Sequence, residues 1–289
     1  MNYTSEIKAL FTLIDDPDQE VYETVTEKIL SYGKEIIPNL EYLWENSLCE
    51  DVQYRIGSII HQLNYSELVE SIIEWRDSPD NNLLTGALLV AKYEYPNLQT
   101  QKILKDIEKI RRDVWLELNN FLTPLEQANV LSSMMYNYYN LRGNEVDYNS
   151  KDDFFLNKVL DYKKGNALSN GIFYQIMCEL LEINAKVINI PKHFLLAYYN
   201  SDSINCSNEM TEQKKIQFYV DGTNGQAYAH LDVENYLKKM KASPNPGYFK
   251  PLSHKKMIRI LLEELSNCYD KPTDFAKQQE ILALADLLR

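Results

Sequence analysis

Gly165-Asn166-Ala167-Leu168-Ser169, Pro191-Lys192-His193-Phe194 and Tyr219-Val220-Asp221-Gly222 are the stretches on which the fold turns. The first opens an apolar run to Ile183 that reads as a helix, Ser169–Ile183. Three strand signals follow, Ala185–Ile190, Phe194–Tyr199 and Lys215–Val220, each rich in β-branched or aromatic residues. Asn200–Glu212, between the last two, is polar and Asn/Ser-rich and reads as an exposed loop. A helix packed on a short antiparallel sheet is an α+β arrangement. It places a hydroxyl at a helix start, a histidine at a strand start and an aspartate at the end of the next strand. That order offers a nucleophile, a base and an orienting carboxylate.

The rest of the chain is helical, so the fold class expected is α+β, mostly helical. Residues 1–145 read as helix after helix: Glu20–Tyr32 with Asp16-Pro17 before it and Gly33 after it, a helix through Ile36–Trp44, then Val52–Leu63. Further helical patterns cover Leu83–Tyr93, Ile103–Asn119 and Pro124–Tyr139, punctuated by Pro96, Pro124 and Gly143. The "DDPDxxV" and "IPxLxxxW" pieces resemble HEAT-like units of irregular period. The tyrosine-rich tract Met135–Tyr139 is expected to pack this part onto the next. Phe154–Tyr162 is helical, residues 146–248 form the α+β part, and a turn-rich stretch at Ala242–Gly247 follows. Residues 249–289 then supply Met257–Tyr269 and Asp274–Leu288, a pair similar to one tetratricopeptide-like hairpin.

Several segments together resemble the SirB-type branch of the transglutaminase-like superfamily. Leu84–Ala91 is similar to its opening helical motif. Asp152-Asp153-Phe154-Phe155-Leu156-Asn157-Lys158-Val159-Leu160 is similar to its "NSFLNxVL", and Lys164–Ser169 to its "xGNPIS". Pro191–Leu196 is similar to its "PGHFL", and Tyr219–Gly225 to the strand end that carries its aspartate. Ala167 stands where the family has proline and Lys192 where it has glycine, changes that bear on the turns placing Ser169 and His193. The resemblance implies a papain-like core of a helix on an antiparallel sheet. It also implies a cysteine nucleophile, and the position reads as Ser169.

A cysteine at a helix start becomes a thiolate readily, whereas a serine needs a close, oriented base. Two readings of the three residues stand side by side. In one, Ser169 attacks, His193 takes its proton, Asp221 orients the imidazole, and backbone N–H groups near Ser169 form the oxyanion hole of an acyl-transfer or amide hydrolase. In the other, Ser169 caps its helix at Gly171 or Ile172, His193 is a hydrogen-bonded interior residue, and Asp221-Gly222 is a turn. The second makes the chain a non-catalytic protein-interaction or regulatory protein, and the missing cysteine favours it. Cys178 does not substitute, since nine residues along the helix is about 13 Å from its start. It reads as a core cysteine, and His61, His230 and His254 as structural or surface residues.

Composition narrows the partners. Lys+Arg number 30 against Asp+Glu 42, a formal net charge of -12. That excess argues against nucleic acid and anionic membrane surfaces and favours a protein with a basic face. None of the nine glycines falls in a dinucleotide or phosphate-loop pattern, and no two histidines share ligand spacing, so neither a cofactor nor a metal is expected. Met1–Glu6 shows no basic then apolar leader, no apolar run approaches a membrane span, and four scattered cysteines suit reduced thiols. The expected location is cytoplasmic.

Overall fold

The computed structural model of the chain describes residues 5–191, 193–199, 212–243 and 245–289. Lys192, Cys206, Pro244 and nearly all of the expected loop at 200–212 lie outside the described residues. The chain divides into two compact units, the first ending at Glu74 and the second spanning Trp75–Arg289.

The first unit is built from α1 (Ser5–Leu13), α2 (Gln19–Leu30), α3 (Ile37–Asn46) and most of α4 (Glu50–Asp77). Asp18 caps α2 by accepting from the Glu20 N–H, and Gly33, at φ +66°, terminates the turn beyond it. Ile14, Val25, Ile29, Leu40, Ile56 and Ile59 form its core. Helix α4 runs fourteen residues past the expected end at Leu63. Past Leu63 no glycine or proline interrupts it before Ser78-Pro79, and Leu68, Ile72 and Trp75 are buried at helical spacing.

The second unit is organised around one buried helix. In chain order it contains α5 (Leu83–Glu94), α6 (Thr100–Glu117), α7 (Pro124–Ser132), α8 (Leu156–Tyr162), α9 (Ala167–Leu180), α10 (Glu212–Lys215), α11 (His230–Lys239), α12 (His254–Ser266) and α13 (Phe275–Asp286). A π-helical turn, Ser133–Tyr138, continues α7 where one regular helix is expected. Strands β1 (Arg142–Asn144) and β2 (Lys164–Asn166) form a short parallel pair. Strands β3 (Ala185–Ile190), β4 (His193–Tyr199), β5 (Ile216–Asp221) and β6 (Ala227–Tyr228) form an antiparallel sheet in that order. The fold is thus mostly helical with a small antiparallel sheet, the α+β class expected.

Every residue of α9 from Ala167 to Cys178 is buried, the polar Ser169, Asn170 and Gln175 along with the apolar majority. It packs on β3 and β4, with α5, α8 and α12 around it. Two glycines set how closely helix and sheet approach. A Cβ on Gly171 would lie 2.9 Å from Phe194 Cβ, and one on Gly222 would lie 2.7 Å from Gly171 Cα. Close packing at this corner fixes the rotation of α9 against the ends of β4 and β5. Tyr136, from the π-helical turn, donates to the Gly222 carbonyl at 2.5 Å and ties the helical part to the same corner. Helices α12 and α13 pack against one another, and α12 also packs on α5 and α9.

Candidate functional site

The site grows from the turn that feeds α9. Lys163, left-handed at φ +54°, ends α8 and sends the chain into β2. Gly165 in that strand passes directly over the first turn of α9: an added Cβ would meet Asn170 Oδ1 at 2.2 Å and Ser169 Oγ at 2.7 Å. Asn166, fully buried, is the N-cap, its side chain accepting from Leu168 N at 2.9 Å and Ser169 N at 3.0 Å. The helix therefore starts two residues before Ser169, because the asparagine wins the capping position.

Ser169 is the third residue of that helix and the reciprocal half of a capping box. Its Oγ accepts from Asn166 N at 3.0 Å and donates to the Asp153 carbonyl at 2.6 Å. The residue is 3 % exposed. It is a helix-start residue, as the sequence suggests, but it closes the box instead of capping Gly171 or Ile172.

His193 and Asp221 come together where β4 begins and the antiparallel β5 ends. Their strands pair with Leu195 opposite Asp221, which brings His193 Nδ1 to 4.0 Å from Asp221 Oδ1. That distance exceeds a hydrogen bond. The same Asp221 oxygen accepts from Thr223 N at 2.8 Å and Thr223 Oγ1 at 2.6 Å, the signature of a turn-forming aspartate. His193 Nδ1 is buried and makes no hydrogen bond among the described residues, and its ring stands edge-on to Tyr236 at 5.8 Å.

His193 lines a cavity of about 590 Å³ together with Leu168, Ile190, Pro191, Tyr236 and Tyr248. At the start of α9 it is Leu168, not Ser169, that lines this space. Consecutive helical residues point about 100° apart. The serine thus engages Asp153 while its neighbour faces the histidine's cavity. Sequence reasoning missed Leu168 because only the rotation of α9, set by Gly171 and Gly222, distinguishes the two positions.

The remaining titratable candidates are occupied structurally. Cys178 is fully buried, 3.9 Å from the Tyr198 hydroxyl, and burial pushes its thiol up to about 12. His230 Nε2 donates to Ile216 O at 2.7 Å, and its Nδ1 shares a hydrogen bond with the Tyr219 hydroxyl at 3.0 Å. His254 sits between two acceptors, Asn81 O and Glu179 Oε1, each at 2.8 Å. Only the imidazolium can donate to both, and these bonds raise its pKa above the ordinary histidine value against the cost of burial. Among the described residues no group of three His, Cys, Asp or Glu is placed to hold a metal ion. Among them, no helix is long and apolar enough to cross a membrane.

A buried helix on a small antiparallel sheet, with a histidine and an aspartate at adjoining strand ends, is an α+β core compatible with a transglutaminase-like domain. Residues 101–263, more than half of the chain, match the family model described as transglutaminase-like superfamily, and the chain belongs to that superfamily. It is 22 % identical to human F-box only protein 21 over 170 residues, covering 50 % of this chain and 27 % of that protein. It is 29 % identical to the UPF0162 protein of Xylella fastidiosa (strain Temecula1) over 126 residues, covering 42 % of this chain and 43 % of that protein. The chain thus spans less than half the length of these curated relatives. No solved structure matches it.

Proposed function

We propose that this chain is a non-catalytic, SirB-type transglutaminase-like protein whose former catalytic cleft serves binding. The observation that carries this reading is Leu168 at the helix start, lining the cavity beside His193 where a nucleophile belongs. A leucine can neither attack a carbonyl nor hand a proton to an imidazole. Two further facts support it. The Ser169 hydroxyl is spent on Asp153 and Asn166, and Asp221 is spent on Thr223. On this reading the helices through residue 145 are HEAT-like units, residues 146–248 the core, and residues 249–289 a tetratricopeptide-like pair. Together they form a cytoplasmic interaction protein. Trp115 at 60 % exposure and Phe121 at 96 %, near the end of α6, are the kind of apolar surface a protein partner covers.

One observation favours a second reading, a Ser169–His193–Asp221 hydrolase: the histidine and aspartate do lie within 4.0 Å. Incubation with a fluorophosphonate acylating probe separates the two. The proposal expects no covalent adduct on Ser169 by peptide mass spectrometry. An adduct that disappears in His193→Ala establishes the hydrolase.

A further inference from the structure

The cavity beside His193 has a wall chemistry that selects its ligand. Its volume of about 590 Å³ suits a small molecule or one long side chain. Besides the apolar Leu168, Ile190 and Pro191, it is lined by Tyr148, Tyr236 and Tyr248 and by the carboxylates of Glu145 and Glu264. Lys239 is the single lysine or arginine among the described lining residues. The Tyr148 hydroxyl donates to Glu264 Oε2 at 2.7 Å, and the Tyr236 hydroxyl donates to Pro191 O at 2.9 Å. Both protons are spent inside the protein, so a ligand meets ring surface and carboxylate at these positions instead of O–H donors. An anion finds little to hold it here. The ionisation of Tyr236 is itself resisted, first by burial and then by the negative charges of Glu145 and Asp221.

Resting on the reading that this cleft has no working nucleophile, we propose that it binds the guanidinium group of an arginine presented by a partner protein. A guanidinium is flat and weakly hydrated, stacks on tyrosine faces and pairs with carboxylates. A lysine ammonium is a strongly hydrated point charge and gives up more water on entering a wall this apolar. The charge of the whole chain, -12, complements the same partner at longer range.

The test uses the full chain and Nα-acetyl-arginine N-methylamide, compared with its citrulline counterpart, which has nearly the same shape without the charge. Binding is followed by NMR titration in wild type and in the Glu145→Gln/Glu264→Gln double variant. The arginine compound binds about tenfold more tightly than citrulline, in line with a cation held by aromatic rings and carboxylate. Its side-chain methylene protons shift upfield over the tyrosine rings, a wild-type readout that stands even if the double variant does not fold. In a folded double variant the discrimination disappears. Equal binding of the two compounds, no binding of either, or discrimination that survives the double substitution overturns the guanidinium site. Mass spectrometry of the same samples separates the two claims: selective cleavage of the arginine compound supports the site while overturning the non-catalytic reading.

Discussion

Replacing Gly222 by alanine probes the corner where sheet and helix meet. The added Cβ would stand 2.7 Å from Gly171 Cα, 2.9 Å from Gly171 N and 3.5 Å from the Asn170 carbonyl carbon. Carbon atoms in contact sit about 3.5–4.0 Å apart, so the overlap with Gly171 is about 1 Å. Both sides of it are backbone, and no rotamer change relieves it. The turn must lift away from α9, which loosens the Tyr136 bond to the Gly222 carbonyl and the packing of Phe194 on Gly171. Overpacking of a rigid interior costs about 1–3 kcal/mol, and contact between two backbones belongs at the top of that range, about 3 kcal/mol. For a domain of this size each kcal/mol moves Tm by about 2–4 °C, so Gly222→Ala lowers the transition of the second unit by about 6–12 °C. Calorimetry measures it. Gly57→Ala is the control: nothing lies within 4 Å of its added Cβ, and this helical substitution is stabilising by up to about 1 kcal/mol. A Gly222→Ala protein that melts within about 2 °C of wild type refutes the argument.

Other perturbations read other parts of the structure. Ser169→Ala strips the buried Asn166 N–H of its acceptor and the Asp153 carbonyl of its donor, and destabilises by about 2 kcal/mol in denaturant titration. The His254–Glu179 pair gives a pH signature. Because the folded His254 pKa is raised, its stabilisation is full below the unfolded value of about 6.5 and is lost as pH rises through the folded value. The Tm gap between wild type and His254→Gln is therefore widest near pH 6 and narrows towards pH 9. For Glu179 burial opposes ionisation, but bonds from His254 and Gln175 and the His254 charge prevail and lower its pKa, so the pair also weakens as pH falls through the carboxylate range. Cys178, with its thiol pushed up to about 12 by burial, escapes iodoacetamide in the folded protein at pH 8 and is alkylated in denaturant, as peptide mapping reads.

Legibility from sequence followed the range of the forces involved. The β3 segment was readable to the residue, Ala185–Ile190, because its apolar pattern and the Pro191 turn are local. Helix α9 was readable in kind but not at its start, since Asn166 and Ser169 are both good caps and only their mutual bonds decide between them. The full length of α4 is a local signal, since buried Leu68, Ile72 and Trp75 carry the helical spacing on to Asp77, two residues before Pro79. The β1–β2 pair joins Arg142–Asn144 to Lys164–Asn166 in three-residue strands too short to carry a pattern. The proximity of His193 and Asp221 followed from strand order, whereas the cavity draws Glu145, Leu168, Tyr236 and Glu264 from four separate places in the chain. No periodicity announces such a convergence.

The central claim is that position 168, not 169, faces the cavity of His193. Alkylation of Leu168→Cys and Ser169→Cys by iodoacetamide across pH, read at each peptide by mass spectrometry, tests it most directly. The account predicts that the cysteine at 168 reacts, and does so at lower pH with His193 present than in His193→Ala, as a thiolate beside an imidazole at a helix start does. It predicts that the cysteine at 169 stays unmodified in the folded protein, held under β2 and against Asp153. A His193-dependent reactive thiol at 169 with an inert one at 168 contradicts the account and restores the serine as the residue that faces the histidine.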